Sequence, residues 1–341
     1  MLAAIFHEHG GPEVVRIEEV ERPEPGPGEL LVEVRAAAMN HLDLWVRRGM
    51  PIETTMPHVG GSDVAGVVAG VGPGVEGWSG GERVVVNPAL GCGHCEACLR
   101  GEISLCPDFR ILGEHTDGGF AEFIAVPAAN VHRIPDSLSF EAAAAMPVSY
   151  QTAWRALVHR AVVRAGEDVL VVGASGGTAV AAVQIAKLAG ARVFAVTSGD
   201  DNVRRVRDLG ADVVYDRTRV DFAREIHRDT ARRGVDVVVE NVGAATWQSS
   251  LRSLARDGRL VTYGATSGPI GETDLRVLFW KQLRIIGSTM ASRSEFEEVL
   301  RVVARGDVTP VVGDVLPLDQ ARAAHERLEG GAHFGKIVLV P

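Results

Sequence analysis

The chain is poor in lysine. Lys187, Lys281 and Lys336 are the only three among 35 basic residues, and the rest are arginine. Acidic residues outnumber basic ones, 44 to 35, for a formal net charge of −9. That balance excludes the clustered positive footprint of a nucleic-acid binder. No stretch approaches the ~18 uninterrupted apolar residues of a membrane span. The opening MLAAIFHEHGG lacks the apolar core and cleavage site of a signal peptide. Internal repeats and low-complexity tracts are absent. These absences point to a cytoplasmic protein that handles a small molecule, with no nucleic-acid or membrane partner. The 341 residues suggest two domains at roughly 150 residues each. With 46% hydrophobic and 23% charged residues, the composition is globular and excludes disorder, collagen and coiled coil.

Two textures divide the chain. Residues 1–130 read as short strands broken by Gly and Pro. Val14–Val20 and Leu30–Ala36 flank the turn cluster Pro23–Glu29, and Val64–Val71 and Arg83–Val86 follow. Frequent turn signals between such strands predict an antiparallel barrel or sandwich. One helix is expected from His41 to Gly49. From Asp168 onward, six strand-like runs alternate with helical patterns: Val169–Val172, Val193–Val196, Val213–Tyr215, Val235–Val239, Arg259–Tyr263 and Arg284–Gly287. Ala179, Val183 and Ala186 share one helix face, with Gly190 at the C-terminal stop. Asp200 or Asp201 is expected to cap the next helix, which Gly210 ends. The alternation predicts an α/β fold with a doubly wound, six-stranded parallel sheet. Beyond residue 290, two helices (Ser294–Arg305, Asp319–Leu328) precede a strand, Lys336–Val340. That strand falls outside the six and is expected to return to the first domain.

After the first parallel strand comes Gly173-Ala174-Ser175-Gly176-Gly177-Thr178. Small residues allow a tight turn and close backbone approach to a pyrophosphate, which the following helix N-terminus favours. Between a strand and a helix, this is a variant dinucleotide fingerprint. An NAD-binding sheet usually carries a carboxylate at the end of its second strand, bonded to the ribose 2′-OH. Here Thr197 and Ser198 hold that place, and Arg204, Arg205 and Arg217 offer positive charge. This favours NADP(H) over NAD(H), although Asp200 and Asp201 lie close by.

All four cysteines fall in one lobe, residues 91–106: Cys92, Cys95, Cys98 and Cys106. Four thiolates close a tetrahedron around Zn²⁺ and leave no open position for substrate. A cytosolic setting disfavours disulfides. One structural zinc per chain is expected.

With the cysteine lobe inside a β-rich half, a dinucleotide-binding half after it, and Gly335-Lys336-Ile337-Val338-Leu339 beyond, the chain resembles the medium-chain dehydrogenase/reductase superfamily, which includes zinc-containing alcohol dehydrogenases and quinone oxidoreductases. The resemblance implies a GroES-like β-barrel catalytic domain (1–150 and 291–341) and a Rossmann domain (151–290). It implies an active site in the cleft between them, and a homodimer or homotetramer, dimers often joining near Leu283–Thr289. Zinc alcohol dehydrogenases of this family hold a catalytic zinc by Cys, His and a further Cys or Asp. In this chain the corresponding positions are Asn40, Ser62 and Val148, and the proton-relaying hydroxyl is replaced by Leu42. Valine cannot bind a metal, and Asn and Ser are poor zinc ligands. The Asn40 and Gly-Ser-Asp-Val-Ala-Gly-Val (61–67) pattern is similar to that of quinone oxidoreductases.

The resemblance implies an NAD(P)H-dependent oxidoreductase that reduces quinones, enones or related carbonyl compounds without a conventional catalytic zinc. It places Asn40, Ser62 and Tyr150 toward the cleft, with Tyr150 or Asn40 donating to the acceptor oxygen and Asp43 orienting the cluster. It assigns nicotinamide contacts to Thr152, Asn241-Val242-Gly243 and Tyr263-Gly264-Ala265, and puts Lys336 near the pyrophosphate. Two alternatives stay open. His41, His58 and His115, with Asp43, Asp63 and Glu114, could assemble an unconventional zinc site in an alcohol dehydrogenase. A non-catalytic NADPH-binding protein is the other.

Overall fold

The computed structural model describes residues 1–51, 54–331 and 333–341. It divides into two compact units, Met1–Val148 with Ala291–Pro341, and Ser149–Met290.

The first unit is built on β1 (Glu29–Ala38), β2 (Asp63–Val71), β3 (Arg83–Val86), β4 (Phe123–Pro127) and β5 (Val131–Arg133). They belong to a seven-stranded sheet in the order β5-β3-β2-β1, with β4 also paired to β1. The sheet continues through Lys336–Val340, which pairs antiparallel with β1 and parallel with Val312–Pro317. The tail therefore returns to the first unit as the sequence suggested. A separate three-stranded sheet joins Arg16–Glu19, Leu2–Phe6 and His58–Val59. The expected strand Val14–Val20 is only Arg16–Glu19, because Pro12–Val14 turns as a 3-10 helix. Leu30, Val32, Val34, Val64, Val84 and Ile337 share one core.

Register positions the chemistry. Ala38 of β1 lies opposite Asp63 on one side and Val338 on the other. Helix α1 (His41–Arg48) starts two residues past β1. Asn40, Asp63 and Lys336 are thereby brought to one end of the sheet from three distant parts of the sequence.

The second unit is a six-stranded parallel sheet. Its strands are β6 (Asp168–Val172), β7 (Arg192–Thr197), β8 (Val213–Asp216), β9 (Val235–Glu240), β10 (Leu254–Thr262) and β11 (Arg284–Gly287), in the order β8-β7-β6-β9-β10-β11. Helices cover a parallel sheet on both faces, so its strands are apolar on both sides. Every residue of Asp168–Val172 is accordingly buried. The helices include α2 (Gly177–Leu188), α3 (Asp200–Asp208), α4 (Trp247–Ser253) and α5 (Leu275–Lys281). Neither Asp200 nor Asp201 caps α3: Gly199, at φ +83°, is its N-cap, and the aspartates begin the first turn. No helix among the described residues is long and apolar enough to cross a membrane.

Candidate functional site

In the second unit, the fingerprint residues and their neighbours lie where β6, β7, β9 and β10 end. Gly173 has φ +71°, and a side chain there would press on Asn241 Oδ1 and Val242 Cγ2, both 3.1 Å from the added carbon. Gly176 caps α2 without a side-chain acceptor, so the first N–H groups of that helix remain available to an anion. Ala174 N–H donates to Val196 O at 2.8 Å, which ties the loop to β7. Ser175 and Thr178 are half-exposed.

Three buried polar atoms here have no protein partner: Thr197 Oγ1, Asn241 Oδ1 and Tyr263 OH. Unpaired buried groups are costly, and these three sit on the strand-end loops where a dinucleotide binds. The residues present therefore fit the cofactor. Burial, with Glu240 nearby, pushes the Tyr263 phenol upward and keeps it a neutral donor. The segments Asn241–Gly243 and Tyr263–Ala265 are laced together. Thr266 and Ser267 donate to Asn241 O and Val242 O, and Gly243 leaves only 3.0 Å to Ala265 Cα for an added side-chain carbon.

Sequence reasoning missed Glu240, the residue that holds this loop. Its carboxylate is fully buried. It accepts from Val242 N at 2.7 Å, Gly243 N at 3.0 Å, Thr246 Oγ1 at 3.0 Å and Ser250 Oγ. A lone acid at the end of an apolar run gives no periodic signal.

At the end of β8, Asp216 and Arg219 were also missed. Asp216 accepts from Gly199 N–H and Thr218, and Arg219 pairs with Asp216 and Asp200. Arg204 and Arg205 both pair with Asp201. Arg217 is exposed.

Tyr150 and Thr152 lie on the helix Pro147–Trp154, within the second unit. Tyr150 is fully buried, and its hydroxyl accepts from Gln184 Nε2 of α2 at 2.9 Å. The Thr152 hydroxyl meets Met290 Sδ at 3.8 Å inside the same unit. Their helix, Pro147–Trp154, mixes polar and apolar residues around its circumference with no segregated face, so helical phase gave no direction to choose from.

In the first unit, Asn40, Asp43, Asp63 and Lys336 form one buried network. Asp43 accepts from Asn40 N at 2.6 Å and Gly61 N at 3.1 Å, which orients the turn into α1. Burial pushes its carboxyl up to about 7, against the pull of those bonds and of Lys336. Asn40 Nδ2 donates to Asp63 Oδ2 at 3.0 Å. Val148 N donates to Asp63 Oδ1 at 2.8 Å. Lys336 Nζ donates to Asn40 Oδ1 at 2.5 Å and to Asp63 Oδ2 at 2.9 Å. The resemblance placed Lys336 near the pyrophosphate; here its ammonium is taken up within the first unit. The ammonium is 3% exposed and paired with a fully buried carboxylate, because the strand carrying it joins β1 beside Asn40. The Ser62 hydroxyl is buried beside this network without a partner.

Glu114 adds a buried acid whose Oε2 has no hydrogen-bond partner. Burial, with Asp43 nearby, raises its carboxyl from 4.5 to about 7. Folding thus tightens the hold on this proton. The resulting stability is present below pH 4.5 and is lost as pH climbs toward 7. Glu114→Gln should flatten the fall in melting temperature between pH 5 and pH 8, read by thermal melts at matched ionic strength. The buried histidines His58, His325 and His333 have lowered values and act in the opposite sense, but they are common to both proteins. Identical pH profiles for variant and parent would rule out this role for Glu114.

The cysteine lobe is compact. The four sulfurs of Cys92, Cys95, Cys98 and Cys106 all lie within 4.8 Å of one another, and none is in a disulfide. Zinc at ~2.3 Å from each would set sulfur–sulfur edges of ~3.8 Å; Cys92 and Cys98 are 4.0 Å apart. Backbone N–H groups of Cys95 and Cys98 point at the sulfurs of Cys92 and Cys95. Such bonds, led by one from His94, lower the Cys92 thiol to about 6, favouring thiolate. A side chain at Gly91 would strike Cys98 Sγ at 2.8 Å. The donor set and its cradle fit a closed metal site. Among the described residues this is the only converging group of three or more His, Cys, Asp or Glu. His58 Nε2 is bonded to Gly113 O and His115 Nδ1 to Ile111 N, so the alternative zinc ligands do not gather.

A GroES-like unit and a nucleotide-binding sheet define a two-part pyridine-nucleotide oxidoreductase. The family described as "Alcohol dehydrogenase GroES-like domain" matches residues 26–136, and "Zinc-binding dehydrogenase" matches 177–305. The chain is 33% identical to an alcohol dehydrogenase of Schizosaccharomyces pombe, over 99% of this chain and 97% of that one. It is 30% identical to a human quinone oxidoreductase, over 100% and 98%. A crystal structure of an NAD-dependent alcohol dehydrogenase superposes with TM-score 0.97 at 47% identity, covering both chains fully. The chain belongs to the medium-chain dehydrogenase/reductase superfamily and is an NAD(P)-dependent oxidoreductase.

Proposed function

We propose that this protein is a zinc-braced, NADP(H)-preferring reductase of quinones, enones or related conjugated carbonyl compounds. The observation that carries the reading is the network at the positions where relatives bind catalytic zinc. Asn40, Ser62 and Val148 stand there, and the charge beside them comes from a buried lysine–aspartate pair. A simple ketone needs strong polarisation of its oxygen, which zinc supplies as a Lewis acid. A conjugated acceptor spreads its developing charge, so a neutral hydrogen-bond donor suffices. Reduced pyridine dinucleotide supplies a hydride when bound. Asn40 and Ser62 present N–H and O–H to the acceptor oxygen, and Asp43 fixes the turn that carries Asn40. A solvent proton completes the reduction.

Cys92, Cys95, Cys98 and Cys106 would hold one zinc that braces their lobe and takes no part in the reaction. Support for the NADP(H) preference comes from the paired state of Asp200 and Asp216, which leaves the Arg217 guanidinium to meet a 2′-phosphate. Such a charge-assisted contact contributes about 1.5–3 kcal/mol. Arg217→Ser should therefore raise KM for NADPH on the order of tenfold and leave KM for NADH within about twofold; equal changes for both cofactors would refute the assignment. A homodimer or homotetramer is supported by the edge strand β11 and by Phe279 and Trp280, 66% and 68% exposed on the adjacent helix α5. Light scattering would read the assembly directly.

The deciding experiment pairs zinc quantification on fresh protein with NADPH and NADH oxidation against quinones, enones and aldehydes. One zinc per chain and NADPH-driven turnover of conjugated acceptors are expected. Two zincs with aldehyde and alcohol turnover would install the alcohol dehydrogenase reading instead. Cofactor binding without turnover of any acceptor would leave a binding protein.

A further inference from the structure

The network around Asn40 holds more information than its burial. An asparagine amide has two chemically different ends of nearly equal shape, and only its partners decide which way it lies. Here both partners are charged and neither is ambiguous. A lysine ammonium only donates, so the atom 2.5 Å from Lys336 Nζ must be the amide oxygen. A carboxylate only accepts, so the atom 3.0 Å from Asp63 Oδ2 must be the amide nitrogen. Lys336 and Asp63 also bond each other at 2.9 Å, closing a three-membered ring of contacts. Asp63 is tethered in turn by Val148 N through its other oxygen. Lys336 is 3% exposed and Asp63 fully buried, so water does not loosen the ring. One hydrogen of Asn40 Nδ2 is committed to Asp63, and the second is uncommitted.

We propose that Lys336 and Asp63 are positioning residues for hydride transfer: they lock the Asn40 amide in a single orientation, so that its second Nδ2–H is held ready for the oxygen of the acceptor. This rests on the reductase reading above. In that reaction the acceptor carbon gains the hydride, its oxygen gains the charge, and a solvent proton neutralises the product. Asn40 touches the oxygen; the ion pair acts through Asn40. A flipped amide would present a carbonyl lone pair to a developing negative charge and would oppose it. Such preorganised donors lose on the order of 10²–10³ in rate when removed.

The test is a double-mutant cycle in the full-length, zinc-loaded protein with NADPH and a quinone that the parent enzyme reduces. Lys336→Met should lower kcat on the order of 10- to 100-fold. The Kd for NADPH, from fluorescence titration, should stay within about twofold. In an Asn40→Ala background the same substitution should cost less than about threefold more, because the group it positions is gone. Additive effects in the two backgrounds, or a tenfold weaker Kd for NADPH with kcat preserved, would overturn the proposal. The second of those would return Lys336 to the cofactor.

A readout independent of turnover accompanies the cycle. The chain has five asparagines, so selective ¹⁵N-asparagine labelling gives five side-chain amide pairs. The pair missing from Asn40→Ala identifies Asn40. Its protons should exchange slowly in the parent and rapidly in Lys336→Met. An Asn40 signal unmoved by Lys336→Met sinks the positioning role, whereas absence of NADPH oxidation by the parent sinks the reductase reading alone. If Lys336→Met does not fold, Lys336→Met/Asp63→Asn leaves no unpaired buried charge. It should show the same loss of kcat and the same rapid exchange.

Discussion

Cys95→Ser should bring the zinc content from one ion per chain to near zero and lower the melting temperature by roughly 5–15 °C. A serine hydroxyl is a poor zinc ligand at neutral pH, and three remaining thiolates leave the tetrahedron open. The size follows from linkage: metal that binds only the folded lobe stabilises it, so loss of the ion is loss of folding free energy. A loss of about 2–4 kcal/mol, at the ~2–4 °C per kcal/mol of a large domain, gives that range. The lobe contributes no residue to the Asn40 network, so kcat measured well below the new melting temperature should stay within about threefold of the parent. Elemental analysis and calorimetry check both halves. A variant that retains its zinc and its melting temperature refutes the closed site, and one that retains its fold but loses all turnover refutes the division between bracing ion and reaction site.

Glu240→Ala is expected to be the most damaging single change in the nucleotide-binding unit. It strips the acceptor from Val242 N, Gly243 N, Thr246 Oγ1 and Ser250 Oγ at once, and all of these donors lie at the buried end of β9. A buried donor left unpaired costs about 1–3 kcal/mol. Relaxation and water entry will recover part of the sum, leaving a net loss of about 3–5 kcal/mol. The loop it releases carries Asn241–Gly243, so Kd for NADPH should rise more than tenfold even at temperatures where the variant is folded. Chemical denaturation gives the first number and fluorescence titration the second. Glu240→Gln, which keeps one acceptor oxygen, should fall between parent and alanine. If alanine costs less than about 1 kcal/mol, the carboxylate is not the clamp described here.

Much of the second unit is legible in the sequence because parallel strands buried on both faces are written as unbroken apolar runs. The run at residues 169–172 needs no partner to be read. The position of Gly173 after it is equally plain, since a tight turn into a helix demands small residues at fixed places. Single polar residues whose meaning depends on fold are not legible. Lys336 lies 296 residues from Asn40, and only the sheet register brings them together. Glu240 reads as one more acid until the turn behind it is seen. Tyr150 sits on a helix with polar and apolar residues on every side, so spacing offers no preferred face. The cysteine lobe is the opposite case. Its ligands are local, 14 residues from first to last, and short spacing carries the geometry within it.

The first unit is stitched from both ends of the polypeptide, while residues 149–290 are contiguous. During synthesis the nucleotide-binding sheet can therefore close while the other sheet still waits on the ribosome for its late strand. Asn40 and Asp63 remain without their cation throughout that interval. The Asn40–Asp63–Lys336 network thus closes only once the late strand is available, and a chain cut short before it would carry a finished nucleotide-binding sheet and a first sheet lacking that strand.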